Sequence, residues 1–193
     1  MKINRSRLPL LLFFLTAVST VSAHPGHPSA TGIASGFFHP FSGWDHLLAM
    51  LAVGLWAAQL GGRARWRVPA IFTGVMALGA VAGHWIGLVP GIDQGAAASV
   101  LVLGLLIATA ARISAGAGFA LVSLFAIFHG FAHGAEMPAT SGALGYGLGF
   151  MVASLLLNAA GSGLGFAAAR FSNHAPRWIG WGFAAAGLAV LAG

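Results

Sequence analysis

From residue 44 to residue 193 the chain passes through six apolar segments, at about 44–60, 68–89, 96–111, 118–134, 143–169 and 178–193, interrupted by a single acid, Asp45. Each holds roughly 16 to 27 residues, enough for a helix to cross a hydrocarbon layer, the shortest with help from their flanks. A transmembrane barrel would alternate polar and apolar residues along each strand, and these runs do not. Pro69, Pro90, Pro138 and Pro176 fall near segment ends, where proline marks helix boundaries. Composition agrees: 58% of residues are hydrophobic and 6% charged, too little polar surface to cover a soluble domain and too little charge for disorder. The sequence predicts an all-α, polytopic membrane helix bundle of about six transmembrane helices, a single transmembrane domain over 24–193 in contact with the lipid bilayer.

Ahead of the bundle, Lys2, Arg5 and Arg7 precede an apolar stretch over 8–18 that closes on Ser19-Thr20-Val21-Ser22-Ala23. A basic start, an apolar run of about 11 residues and a small-residue end describe a secretory signal peptide over 1–23, too short to stay as a span. Cleavage after Ala23 would leave His24 as a periplasmic N terminus. The loops after the first, third and fifth spans then face the cytoplasm, and they hold Arg63, Arg65, Arg67, Arg112, Arg170 and Arg177. All arginines beyond the leader therefore fall inside, as the positive-inside rule requires, in a multi-pass protein of the bacterial inner (cytoplasmic) membrane. The net charge of +6 is thus an orientation signal. It is not gathered into the patches that nucleic-acid binding needs, so no nucleic-acid partner is expected. With no cysteine, disulfides and thiolate metal sites are excluded.

Glycines recur four apart at Gly79, Gly83 and Gly87, at Gly145 and Gly149, and at Gly161 and Gly165. Such spacing lets helix backbones approach closely, and Ser154 and Asn158 could bond across helices. Trp66, Trp178 and Trp181 sit where interfacial anchors do. A homo-oligomer is among the assemblies such a bundle allows.

The polar chemistry is concentrated in two short stretches. One reads His39-Pro40-Phe41-Ser42-Gly43-Trp44-Asp45-His46, at the start of the first span; the other reads Phe128-His129-Gly130-Phe131-Ala132-His133-Gly134-Ala135-Glu136, at the end of the fourth. The alternating topology puts both at the outer face. An acid inside a membrane costs about 2.5–3.5 kcal/mol on insertion scales, so each needs a partner or a task. His129 and His133 share one helix face, with Glu136 a turn later. Imidazole nitrogens with a carboxylate oxygen suit Zn²⁺, Ni²⁺, Co²⁺ or Cu²⁺. Asp45 and His46 point about 100° apart on a helix, so one is expected as a ligand and the other as its orienting partner unless Pro40 or Gly43 breaks the helix. The candidate metal residues are His39, Asp45, His46, His129, His133 and Glu136. His24, His27, His84 and Asp93 are weaker candidates, and no catalytic residue is assigned.

The pair His39-Pro40-x-x-Gly43-x-Asp45-His46 and Phe128-His129-Gly130-x-Ala132-His133-Gly134-x-Glu136 resembles the signatures of the HupE/UreJ family of membrane proteins. Leu47-Leu48-Ala49-Met50 and the histidine-rich start after the leader also fit. The resemblance implies a permease for Ni²⁺, with Co²⁺ as a further substrate, that supplies hydrogenase or urease metallocentre assembly. It carries the six motif residues over as transport residues, with no tightly bound cofactor. The reading from another class is an intramembrane zinc-dependent hydrolase, in which the histidines hold zinc and Asp45 or Glu136 activates water.

Overall fold

A computed structural model describes residues 32–138 and 142–193. The expected leader and two of the weaker candidates, His24 and His27, lie outside the described residues. The apolar segments fold as helices α1 (Ile33–Phe38), α2 (Trp44–Leu60), α3 (Ala64–Ile86), α4 (Ile92–Thr109), α5 (Ala115–Ala135), α6 (Ala143–Phe171) and α7 (Ala175–Ala192), with a 3-10 turn over His39–Phe41 between the first two. No strand occurs among the described residues. Local sequence sets the ends. Gly61 (φ +71°) and Gly87 (φ +81°) stop α2 and α3 in backbone conformations that a side chain would strain. Gly87 therefore terminates a helix instead of extending the packing stripe of Gly79 and Gly83. Ser114 caps α5 by accepting a bond from the Ala117 N–H at 3.2 Å. Pro69 does not mark a boundary, because α3 begins upstream at Ala64 and runs through it, leaving the Arg65 carbonyl without its i+4 N–H donor.

Four of these helices, α3, α4, α5 and α6, are long and apolar enough to cross a membrane. Of the other two expected spans, α2 has 17 residues, and α7 carries Pro176 and Arg177 in its first turn. The outward surface is apolar, with Leu78, Val81, Trp85, Leu156 and Phe171 all more than half exposed. A soluble fold would bury such residues; a lipid-facing one need not. Trp66, Trp178 and Trp181 are exposed too, and the Arg65 guanidinium lies 5.3 Å from the Trp66 ring centre.

Close backbone approach at glycine builds the bundle from three pairs. In the first, a Cβ on Gly83 would collide with the Phe131 carbonyl, one on Gly130 with that of Met76, and one on Gly134 with that of Ala80. The register runs α3 and α5 in the same direction. In the second, Gly54 and Gly161 seat α2 on α6, again parallel, and Ser162 Oγ donates to the Gly54 carbonyl at 2.9 Å. In the third, Gly104, Gly180 and Gly187 seat α4 against α7 in antiparallel register. Gly36 and Gly149 lay α1 along the start of α6. Ser154 and Asn158 bond within α6, to the carbonyls of Phe150 and Ser154, rather than across helices. Their short side chains find the nearest backbone oxygen one turn back.

Helix α2 lies at the centre. It is buried at His46, Ala49, Met50, Ala52, Val53, Leu55, Trp56 and Ala57, against Phe72, Met76, Leu103, Ile107 and Val122 from three other helices. Arg177 Nε donates to the Ala108 carbonyl at 2.8 Å, where a cation meets the negative end of α4. Because Gly134 has no room for a side chain, Gly134→Val should lower the thermal unfolding midpoint in detergent by several degrees. Gly163→Ala, where an added Cβ meets open space, should hold or raise it. Tryptophan fluorescence on heating checks both.

Candidate metal centre

The second motif alternates two residue types with two jobs. Gly130 and Gly134 face α3 and let it approach, while His129 and His133, each one residue earlier on the helix, face α2. Both imidazoles are fully buried. His133 lies edge-on to His46 at 4.0 Å and tilted against Phe150 at 4.2 Å between ring centres; His129 packs on Phe72 at 5.9 Å.

The first motif arrives from the opposite side. The turn over His39–Phe41, with Pro40 inside it, and the extended backbone of Gly43 separate His39 from the helix that begins at Trp44. That break brings His39 to within 4.8 Å of His133 between ring centres, although it lies seven residues before the buried His46. A Cβ on Gly43 would lie 2.8 Å from Asp45 Oδ1, so glycine also leaves room for the aspartate.

Two overlapping ligand sets result. Nitrogens of His46, His129 and His133 lie within 4.8 Å of one another, and so do atoms of His39, His133 and Glu136. The first set is buried; the second opens towards solvent through Glu136. His129 Nδ1 stands 3.2 Å from His46 Nδ1, close to the edge of about 3.3 Å expected between nitrogens around a metal held at 2.0–2.1 Å. His133 belongs to both sets, and neither of its ring nitrogens has a hydrogen-bond partner. Buried polar atoms are costly when unpaired, so two orphaned nitrogens in a ring of histidines fit a site shaped for a bound cation.

Asp45 stands beside this cluster, its Oδ2 3.3 Å from His46 Nδ1. It meets the same His46 nitrogen that faces His129 Nδ1, so the carboxylate lies beside the histidine pair and sets a negative charge next to it. His39 Nε2 approaches Glu136 Oε2 at 3.2 Å, an ion-pair distance with oblique hydrogen-bond alignment. That contact holds the Glu136 carboxyl below its ordinary range, ahead of the upward push from partial burial. Glu136 thus stays an anion at the mouth. His84 and Asp93 are not drawn in: both are exposed, and His84 meets the Trp85 ring edge-on. Asp93 instead shares a cavity of about 320 Å³ with Asp45 and Gln94. His174 is exposed at the other end of the chain's last helix pair.

Three neighbours carried no signal in the sequence. Tyr146 lies 5.6 Å from His39 between ring centres, Phe150 packs on His133, and Ser99 bonds to His129. A lone serine or aromatic in an apolar run has no periodicity to mark it; only the packing of α4 and α6 places these side chains.

The family model described as HupE / UreJ protein matches residues 11–190. Protein HupE of Rhizobium leguminosarum bv. viciae is 41% identical over 191 residues, covering 97% of this chain and 98% of that one. No solved structure matches.

Removing the His39 partner should release the Glu136 carboxyl. In His39→Ala its titration should move up towards the ordinary glutamate range, read by carbon-13 NMR of the detergent-solubilised protein. Because the folded-state value is depressed, the stabilisation from this contact is present above the unfolded glutamate pKa. It is lost as pH falls through the folded one.

Proposed function

Because this chain belongs to the HupE/UreJ family, we propose that it is a membrane permease that takes Ni²⁺, with Co²⁺ as a second substrate, into the cytoplasm for hydrogenase or urease metallocentre assembly. The observation that carries this reading is the pair of ligand sets sharing His133. A cation attracted by Glu136 at the solvent-facing set can exchange ligands about His133 and pass to the buried set of His46 and His129. Each step replaces part of a hydration shell with imidazole nitrogen while a carboxylate offsets charge nearby. Conduction requires sites that release what they bind, which suits neutral imidazoles and an all-nitrogen and oxygen donor set. A dication moving down an inside-negative potential of 100 mV gains about 4.6 kcal/mol, twice the single-charge figure, so uniport suffices for accumulation.

In this reading α2 to α7 each cross the inner membrane, α2 entering from the periplasmic side. Parallel pairing of α2 with α6 and of α3 with α5, and antiparallel pairing of α4 with α7, support that alternation. So does the gathering of the arginines at the opposite end from the clustered His39, His46, His129 and His133. A signal peptide over 1–23 completes the topology, with the mature N terminus periplasmic and no resident cofactor required. The rival hydrolase would use the same residues to hold zinc and activate water. Purified protein that retains zinc and turns over a substrate would favour it.

Radiolabelled nickel uptake, with cobalt and zinc as competitors, tests the reading. His129→Ala, His133→Ala and Asp45→Ala should each reduce uptake at least 10-fold at unchanged membrane levels. Unchanged accumulation would refute the permease. Uptake should also fall on acidification, because protons compete with the metal for the same nitrogens. A reporter fused after Arg65 should report the cytoplasm.

A further inference from the structure

Ser99, in the middle of α4, sits fully buried between two polar partners. Its Oγ lies 2.6 Å from the Ala96 carbonyl oxygen and 2.8 Å from His129 Nε2. Two oxygens at 2.6 Å repel unless a proton lies between them, and the hydroxyl has only one proton to place. The Ser99 hydroxyl therefore donates to Ala96. Its remaining contact can be a hydrogen bond only if His129 Nε2 carries the proton and Ser99 Oγ accepts it. A neutral imidazole has one N–H, so His129 Nδ1 is left with a bare lone pair. That nitrogen is the one facing His46 Nδ1 at 3.2 Å, inside the buried ligand set.

We infer that Ser99 is a positioning residue that locks His129 in the Nε2–H tautomer, so that Nδ1 is the nitrogen offered to a divalent cation. The inference rests on the permease reading, because it assigns a task to a ligand of that site. Ser99 touches no cation itself. It acts through His129 by fixing which nitrogen is free and how the ring is turned, and it does so from a different helix, tying α4 to the cluster that α2 and α5 build. Without the hydroxyl, the ring could rotate or carry its proton on Nδ1, and the site would present N–H in place of a lone pair.

Ser99→Ala removes one atom from a packed position and should leave the fold intact, which the unfolding midpoint and membrane level verify. Nickel uptake by Ser99→Ala should show a half-saturating Ni²⁺ concentration raised about 10- to 100-fold, with the maximal rate near the parent's. Ser99→Thr, which keeps the hydroxyl, should restore it. Nitrogen-15 NMR of histidine-labelled protein, with His129 assigned by its loss in His129→Ala, should show a single Nε2–H tautomer in the parent and not in Ser99→Ala. A parent spectrum with the proton on Nδ1 overturns the assignment. So does parent-like half-saturation in Ser99→Ala while His129→Ala is inactive. Full uptake by His129→Ala instead removes the permease reading on which the assignment stands.

Discussion

The close approach of α3 and α5 governs what the rest of the bundle can do. Gly130 and Gly134 bring the backbone of α5 against the carbonyls of Met76 and Ala80, and Gly83 returns the contact from α3. In a membrane there is no hydrophobic force between helices, so backbone proximity and dispersion hold them together. Because the two glycines occupy one face of α5, the histidines that precede them are turned to another, towards α2. The same His-Gly pairing, repeated four residues apart, thus fixes both the packing and the aim of two imidazoles.

Around that pair, few polar groups carry much of the structure. Four histidines come within van der Waals or hydrogen-bond distance of one another among the described residues, with Asp45 and Glu136 set at the edges. Placing the acids at the rim keeps each partly hydrated, which avoids the full cost of a buried charge. The buried positions are left to rings that are neutral when unprotonated. Elsewhere, buried polar groups bond locally: Ser154 and Asn158 to their own helix, Gln59 to the Ile107 carbonyl, and Arg177 to the end of α4.

Much of the helical layout was legible in the chain. Apolar runs and their breakers located α2 to α7 to within a few residues, and the four-residue glycine spacing at Gly79–Gly83 and Gly161–Gly165 anticipated two of the helix contacts. Pro69 misled, because α3 runs through it despite the missing N–H, and Gly87 served as a stop rather than a contact. In the site, the two motifs were visible because rare polar residues stand out in an apolar chain. Ser99, Tyr146 and Phe150 were not, since each is unremarkable in its own segment and meets the histidines only through packing.

The sequence by itself determined the all-helical class, the placing of its arginines in alternate connections and which residues are chemically able to hold a cation. Hydropathy, charge and donor type are properties of single residues, so they can be read one position at a time. The tertiary structure decided the rest: that His133 belongs to both ligand sets, that the break at Gly43 carries His39 over to meet it, and that Ser99 selects the nitrogen His129 presents. Those are relations between helices far apart in the chain, and only the packing of one backbone against another fixes them.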